Sequence, residues 1–312
     1  MTTDTTAKAR SVSVAFLGPP GTYSHQAAHE VFGGTAAYLA QEKVVDVFSA
    51  VSVDATYGVI PQENSIFGHV VETYNRLRHA DIGSTKLVCG EVTVSVQHCL
   101  LVRKGVELHQ IKKILSHEQA LGQCRGFKAR HLPSAVEIKM SSTAAAAEAL
   151  LLSEYADAAA ICSKLCASLF EGVVVLREGI QDTNDNYTRF FVIGGSDAAD
   201  LRVPSPSHFK ALVCLQTGPS PSGTSEAPSR SDILPLLSAL QLPTIRIDRR
   251  PPRSNAETPG RDMYFVELQE DGHSADKDDV LKEREWSAKV DAALKRVQAA
   301  GGEVTLLGTW SL

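Results

Sequence analysis

Four polar segments of the sequence contain the side chains best suited to bind a small molecule or to donate a proton. Three of them follow an apolar run and lead toward a helical pattern, and the fourth leads into an apolar strand pattern. In open α/β sheets, ligands bind at the carboxyl ends of strands, where loops lead into helix N-termini. The four segments therefore predict a polar site at such an edge, built from hydroxyl, amide and carboxyl groups.

The first segment is GPPGTYSHQAA, which begins at Gly18 and contains Thr22. Its glycines permit a tight turn, and Ser24 is the predicted N-cap of the next helix, whose N–H groups can hold a carboxylate. A well-made turn without a ligand is the alternative. The segment lacks the glycine spacing of a phosphate-binding loop, which disfavours nucleotide binding.

The second segment is GVIPQENSIFG, which begins at Gly58. Its apolar strand ends in an acid, an amide and a hydroxyl, namely Glu63, Asn64 and Ser65. The same side chains could instead cap the next helix. This segment alone therefore leaves a ligand site and a helix cap as open alternatives.

The third segment is SHEQALGQC, in which Ser116 and Gln119 satisfy the capping-box pattern. His117 is then predicted to be an exposed imidazole in the first turn, which is more often solvated than catalytic. Ser142 and Thr143 precede an alanine-rich stretch in the same way. Capping of the following helix is the favoured interpretation, and anion binding is the alternative.

The fourth segment is QDTNDNYTRFFVIG, a polar loop that enters an apolar strand through Thr188, Arg189 and Phe190. An arginine beside hydroxyl groups at a strand start can clamp a carboxylate with two parallel hydrogen bonds. A surface arginine that only confers solubility is the alternative. Of the four segments, this one is the most specific.

Composition excludes several classes of function. The 31 basic and 36 acidic residues give a formal net charge of −5, so general binding to nucleic acid or to an anionic membrane has no electrostatic support. No apolar run approaches the roughly 18 residues of a membrane span, and the polar N-terminus lacks a secretory signal. A cytoplasmic location is the expectation. The six dispersed cysteines are predicted to be buried thiols, with Cys162 and Cys166 on one face of a helix, and no metal is assigned.

Strand and helix patterns alternate along the first two thirds of the chain, which predicts an α/β architecture with mostly parallel sheets. Strands are predicted over 12–17, 44–48, 58–61, 92–102, 111–116, 135–140, 173–177 and 189–193. Helices are predicted over 24–32, 68–79, 119–128, 143–153 and 162–170. At 312 residues, the chain exceeds the roughly 150 residues expected for one domain.

A second domain is predicted after a polar linker at 197–207. Its elements, at 208–215, 233–240, 243–248, 262–269, 278–299 and 303–307, follow the order βαββαβ of a ferredoxin-like module. Segments 217–230 and 251–261 are rich in Ser, Pro and Gly, and they are predicted to be mobile loops. Residues 1–10 are predicted to be disordered.

Five motifs in order and at matching spacing resemble the prephenate dehydratase family. They are LGPPGTYSHQAA from Leu17, GVIPQENSIFG from Gly58, GEVTVSVQHCLL from Gly90, SHEQALGQC from Ser116 and IQDTNDNYTRFFVIG from Ile180. The resemblance implies a catalytic domain over 11–196 with two lobes like those of type II periplasmic binding proteins. Lobe one would comprise 11–90 and 189–196, and lobe two 91–188. Residues 208–312 resemble the regulatory ACT domain of the same enzymes, which implies a homodimer or homotetramer. We expect a monofunctional enzyme without a chorismate mutase segment.

The reaction that the resemblance implies converts prephenate to phenylpyruvate, water and carbon dioxide without a cofactor. Thr188 would donate a proton to the departing hydroxyl, and Arg189 would anchor a carboxylate or organise the site. Supporting positions implied by the motifs are Thr22, Glu63, Asn64, Ser65, Ser116, His117, Gln119, Ser142, Thr143 and Phe190. The alternatives are an arogenate dehydratase and a catalytically silent amino-acid-sensing protein.

Two regulatory motifs of the family are altered in this chain. In the family, a Gly-Ala-Leu turn binds the effector L-phenylalanine, and this chain has Ser231, Asp232, Ile233 and Leu234 in its place. Where the family has a Glu-Ser-Arg-Pro motif, this chain has Asp248, Arg249, Arg250 and Pro251. Loss of the glycine removes backbone freedom that a bound amino acid would use, so inhibition by L-phenylalanine is left as an open question by the sequence.

Overall fold

The computed structural model describes residues 12–196, 198, 201, 208–217, 233–251, 262–271 and 278–312. The chain divides into two compact units, one comprising the residues up to Val70 with Val92–Phe190, and the other Val71–Glu91 with Phe191–Leu312. The predicted disordered N-terminus at 1–10 lies outside the described residues, and so does most of the linker at 197–207 and of the loops at 217–230 and 251–261. The domain boundaries given above therefore stay predictions.

The described part of the chain contains the following elements. The strands are β1 (Ser13–Leu17), β2 (Ala37–Gln41), β3 (Tyr57–Asn64), β4 (Gly68–His69), β5 (Lys86–Ser95), β6 (Cys99–Arg103), β7 (Lys113–Ser116), β8 (Val136–Lys139), β9 (Ala158–Cys162), β10 (Val173–Arg177), β11 (Tyr187–Gly195), β12 (His208–Thr217), β13 (Thr244–Arg250), β14 (Met263–Asp271) and β15 (Gly302–Ser311). The α-helices are α1 (Tyr23–Phe32), α2 (Val44–Ala50), α3 (Val71–Leu77), α4 (Glu118–Gln123), α5 (Arg125–His131), α6 (Thr143–Ala149), α7 (Cys166–Leu169), α8 (Leu234–Leu240) and α9 (Asp279–Ala299).

The strands form three sheets, and their arrangement confirms the predicted α/β class. The first sheet has the order β2-β1-β3-β11-β5, with β4 beside β3, and the second has the order β10-β6-β9-β7-β8. In the first sheet β1 is parallel to β2 and β3, and β4 is antiparallel to β3. In the second sheet β7 is parallel to β8 and β9, whereas β6 is antiparallel to β9 and β10, so the two sheets are mixed and not mostly parallel as predicted. Strands β5 and β11 each begin in one compact unit and end in the other.

The third sheet confirms the predicted βαββαβ order. Its strands are arranged β13-β14-β12-β15, and all three pairings are antiparallel. Helices α8 and α9 cover one face, where Trp286 and Val290 of α9 are buried against the apolar side chains of β12 and β14. The Trp286 indole donates a hydrogen bond to the carbonyl oxygen of Lys210.

Two predicted elements of the first unit were wrong. Residues 44–48 form part of helix α2, although their β-branched composition predicted a strand. Their spacing explains the helix, since Val44, Val47 and Phe48 are buried at positions i, i+3 and i+4. Of the helix predicted at 162–170, only the short α7 forms, because Cys162 is the last residue of the fully buried strand β9. Cys162 and Cys166 therefore do not share a helix face.

Two helix caps also differ from the prediction. Thr22, and not Ser24, is the N-cap of α1, and its side chain accepts a hydrogen bond from the His25 N–H. The predicted capping box of Ser116 and Gln119 does not form, since His117 is the N-cap of α4. Several residue types can cap a helix, so the sequence pattern did not specify which neighbour would do so.

The predicted strand at 92–102 is divided between β5 and β6. The chain leaves β5 after Ser95, and the Val96 N–H donates to the carbonyl oxygen of Asn186. The His98 N–H donates to the side-chain oxygen of Gln181. These bonds replace the sheet ladder and place His98 in a bend between the two strands.

The thiols follow the sequence prediction. Five of the six cysteines are buried, Cys89 is half-buried, and none is in a disulfide. No cluster of three metal-ligating side chains is found among the described residues. No helix in that part of the chain is both long and apolar enough to cross a membrane.

The second unit packs the segment after Val70 against the βαββαβ module. The Tyr74 hydroxyl donates to Asp248 at 2.6 Å, and the Tyr74 ring meets Phe265 edge to face. Lys210 pairs with Glu91 at 2.7 Å, and both side chains are less than a tenth exposed. Helix α3 and the first half of β5 are thus fixed to the C-terminal sheet by aromatic, ionic and hydrogen-bonded contacts.

Substitution of Gly308 tests how closely β15 approaches β5 in this unit. A Cβ atom on Gly308 would lie 1.9 Å from the carbonyl oxygen of Val88. We expect Gly308→Ala to lower the free energy of unfolding by about 1–3 kcal/mol, because the backbones must separate. Urea denaturation measures the change. Gly122→Ala is the matched control, because a Cβ there meets no atom within 4 Å. An unchanged denaturation midpoint in Gly308→Ala would contradict the close approach of the two strands.

Candidate active site

A cavity of about 440 Å³ lies in the first unit, at the strand ends that the sequence predicted. Seven sequence-predicted residues line it: Thr22, Asn64, His117, Gln119, Ser142, Thr143 and Thr188. Five further polar or aromatic lining residues were missed, namely Tyr23, Phe67, His98, Gln123 and Asn186, and Ser141 lines the cavity beside the predicted Ser142. Leu17, Val96 and Ala120 complete the wall, so none of the described lining residues is a carboxylate, a lysine or an arginine.

Three helices begin at the wall of this cavity. Thr22, His117 and Ser142 are the N-caps of α1, α4 and α6, and each side chain accepts a hydrogen bond from a backbone N–H of its own helix. The predicted cap at Ser142 is thereby confirmed. Because these side chains are fixed by their helices, the cavity wall is held in place by secondary structure.

Asn64 connects the end of β3 with the start of β11. Its amide nitrogen donates to the Thr188 hydroxyl oxygen at 3.0 Å, to Asn186 Oδ1 at 2.8 Å and to the Tyr187 carbonyl oxygen at 3.1 Å. Its own oxygen accepts from the N–H groups of the following turn. Since Thr188 Oγ1 accepts a hydrogen bond from Asn64, the Thr188 hydroxyl proton is directed to another acceptor, such as a ligand oxygen.

Arg189 and Glu63 lie outside the cavity lining. The guanidinium of Arg189 pairs with the Glu63 carboxylate, with Nη1 and Oε1 3.6 Å apart and the side chains 13% and 21% exposed. Successive residues of a strand face opposite sides of a sheet, so a Thr188 that faces the cavity turns Arg189 away from it. Of the two roles predicted for Arg189, this position favours the organiser over the carboxylate anchor.

Three other predicted residues stabilise the structure around the site. Ser65 accepts from the Tyr187 N–H and donates to the carbonyl oxygen of Asp185. Ser116 is fully buried and donates to the carbonyl oxygen of Ile161. Phe190 is 1% exposed and belongs to the core.

His98 and Tyr23 form a buried pair that sequence reasoning missed. His98 is 2% exposed, and its Nδ1 lies 3.1 Å from the Tyr23 hydroxyl oxygen, while its Nε2 lies 2.7 Å from Gln123 Oε1. Burial lowers the pKa of His98, so the ring is neutral at neutral pH, and burial raises the pKa of Tyr23. Both residues stand within the quoted motifs LGPPGTYSHQAA and GEVTVSVQHCLL.

The predicted regulatory residues occupy the second unit, except that Ser231 and Asp232 lie outside the described residues. Ile233 and Leu234 begin α8. Arg249 pairs with Asp262. Asp248, Arg250 and Pro251 each contact the segment that contains α3, through Tyr74, Asn75 and Arg78 respectively.

An α/β fold with a concave polar cavity at its strand ends defines a small-molecule-binding protein, as in many enzymes. Residues 14–198 match the family described as prephenate dehydratase. The chain belongs to this family.

Three known proteins illustrate the similarity. The chain is 36% identical over 224 residues to a bifunctional chorismate mutase/prephenate dehydratase of Neisseria gonorrhoeae, which covers 69% of this chain and 60% of that protein. It is 35% identical to arogenate dehydratase 5 of Arabidopsis thaliana, over 59% of this chain and 42% of that protein. The crystal structure of prephenate dehydratase from Arthrobacter aurescens in complex with L-Phe matches with a TM-score of 0.72 and 28% identity, over 96% of this chain and 90% of that one. The chain thus spans about three fifths of the length of the Neisseria relative.

Asn64→Asp tests whether the amide holds the site together. A carboxylate at this position would face two carbonyl-type oxygens that only accept, those of Asn186 and Tyr187, and it could not donate to them. The Thr188 hydroxyl would have to turn its proton toward the carboxylate. We expect a loss of about 1–3 kcal/mol in the free energy of unfolding. Asn64→Ala is the matched variant, because it removes the donors without adding charge.

The difference in stability between Asn64→Asp and Asn64→Ala should depend on pH. The aspartate carboxyl will have a raised pKa beside three oxygens, and the protonated form regains one donor. The Asp variant should therefore gain stability relative to the Ala variant as the pH falls. Chemical denaturation of both at pH 7 and pH 5 measures this, and equal stability at both pH values would contradict the donor role.

Proposed function

We propose that this chain is a prephenate dehydratase. In the reaction, the bond from the ring to its carboxylate breaks and releases carbon dioxide, and the electron pair enters the ring. The C4–O bond breaks in turn, and its oxygen takes a proton and leaves as water. Formation of the aromatic ring of phenylpyruvate drives the reaction, so the protein needs only to orient the substrate and to supply a proton donor.

The observation that carries this proposal is the Thr188 hydroxyl on the cavity wall, held by the Asn64 amide. A threonine hydroxyl is a weak acid, so it acts as a fixed hydrogen-bond donor to the departing oxygen while the C–O bond breaks, and the proton that converts this oxygen to water is replaced from solvent. The side-chain donors of the wall, among them Gln119 and Ser142, are the groups offered to the substrate carboxylates.

The uncharged cavity favours the oxo acid prephenate over the amino acid arogenate. Arogenate carries an ammonium group, and proteins usually pair a buried ammonium with a carboxylate. No aspartate or glutamate is among the lining residues that the structure describes, and Glu63 is paired with Arg189. The Asn64–Thr188 contact also argues against a catalytically silent binding protein.

Turnover of the purified chain tests the proposal. We expect phenylpyruvate to form from prephenate, with a higher kcat/KM than for arogenate. Thr188→Ala should lower kcat by roughly 10²-fold or more, whereas Thr188→Ser keeps the hydroxyl and should retain part of the rate. Phenylpyruvate absorbance measures both. Unchanged turnover in folded Thr188→Ala would remove Thr188 from the mechanism, and a wild type without turnover would refute the proposed activity.

We also propose that residues 208–312 are an ACT domain that binds L-phenylalanine and pairs with a second copy in a homodimer or homotetramer. The effector is supported by the bound L-Phe of the Arthrobacter relative, and the domain by the βαββαβ order. Asp248 and Arg250 contact Tyr74 and Asn75, so a ligand at this motif could influence the catalytic part of the chain. A cytoplasmic location fits the free thiols.

Calorimetric titration with L-phenylalanine tests the regulatory proposal. We expect saturable binding to the full chain and a parallel fall in prephenate turnover. D-phenylalanine is the matched control. Absence of heat and of inhibition would show that the altered motifs have lost the effector site.

A further inference from the structure

His98 has no part in the proton donation proposed above, although it is among the most buried polar residues of the chain and lines the cavity. Its backbone is fixed on both sides, because its N–H donates to Gln181 Oε1 and its carbonyl oxygen accepts from the Ile180 N–H, both at 3.0 Å. The imidazole therefore has a defined direction, with one nitrogen toward Tyr23 and the other toward Gln123.

The contacts of the two ring nitrogens determine the tautomer. The partner of Nε2 is the amide oxygen of Gln123 at 2.7 Å, and an amide oxygen only accepts, so Nε2 carries the proton. Nδ1 is then an acceptor. The Tyr23 hydroxyl lies 3.1 Å from Nδ1 and 3.1 Å from the carbonyl oxygen of Gln97, so its single proton is shared between these two acceptors. The contact with Gln123 is therefore the one that determines the tautomer.

We infer that His98 is a positioning residue that holds the Gln123 carboxamide with its oxygen inward, so that the amide N–H donors of Gln123 bind an oxygen of the substrate in the cavity. Gln123 lies at the end of α4, where the Asp182 N–H donates to its carbonyl oxygen at 2.7 Å. Its backbone is thus fixed, and only the side-chain amide has a choice of orientation. Without His98, the amide could turn over and present its oxygen to a carboxylate. This inference rests on the proposed function, which supplies the anionic substrate.

A double-mutant cycle tests the role of His98. His98→Phe keeps the ring shape and removes both nitrogens, and we expect kcat/KM for prephenate to fall roughly tenfold. His98→Gln offers an N–H donor in a similar place and should restore part of the loss. In a Gln123→Ala background, His98→Phe should cause little further loss, because the group that it positions is gone.

The alternative outcomes are distinct. Equal losses from His98→Phe in both backgrounds would show a purely structural role and would overturn the inference, while the proposed function would stand. Nitrogen-15 NMR of labelled histidine provides a readout besides activity: we expect the Nε2–H tautomer at neutral pH, and the Nδ1–H tautomer would overturn the inference. A wild type without turnover refutes the proposed activity, and the spectrum still decides whether His98 holds the Gln123 amide.

Discussion

The hydrogen bonds of the Asn64 amide are the interaction on which the site depends. They join the end of β3 to residues more than 120 positions later in the chain, at the start of β11. Loop closure over such a separation costs conformational entropy, which the buried sheets on either side must offset. The contact is therefore a product of the fold as a whole, and the Thr188 hydroxyl owes its orientation to it.

A second constraint is that the described cavity wall contains no carboxylate, lysine or arginine. Hydroxyl groups, amides and two imidazoles surround the space, while the ion pair of Glu63 and Arg189 lies outside it. Fixed dipoles stabilise developing charge without reorganising, so a wall of hydroxyl and amide groups can still support an elimination.

In the second unit, the βαββαβ module is joined to the segment that contains α3. Tyr74 bonds to Asp248, and α3 follows shortly after Asn64 in the chain. The close approach of Gly308 to Val88 adds a backbone contact with little room for adjustment.

The sequence by itself determined the α/β class, the βαββαβ module and the polar strand ends, because these follow from local periodicity and from motifs whose spacing is written in the chain. Asn64, Thr188 and Ser142 could be assigned to the site on that basis. Only the tertiary structure decided that Arg189 turns away from the cavity, that Ser116 is buried, that 44–48 is helical and that His98 meets Gln123. Strand register and long-range packing choose which face each side chain takes, and neither is encoded in the spacing of neighbouring residues.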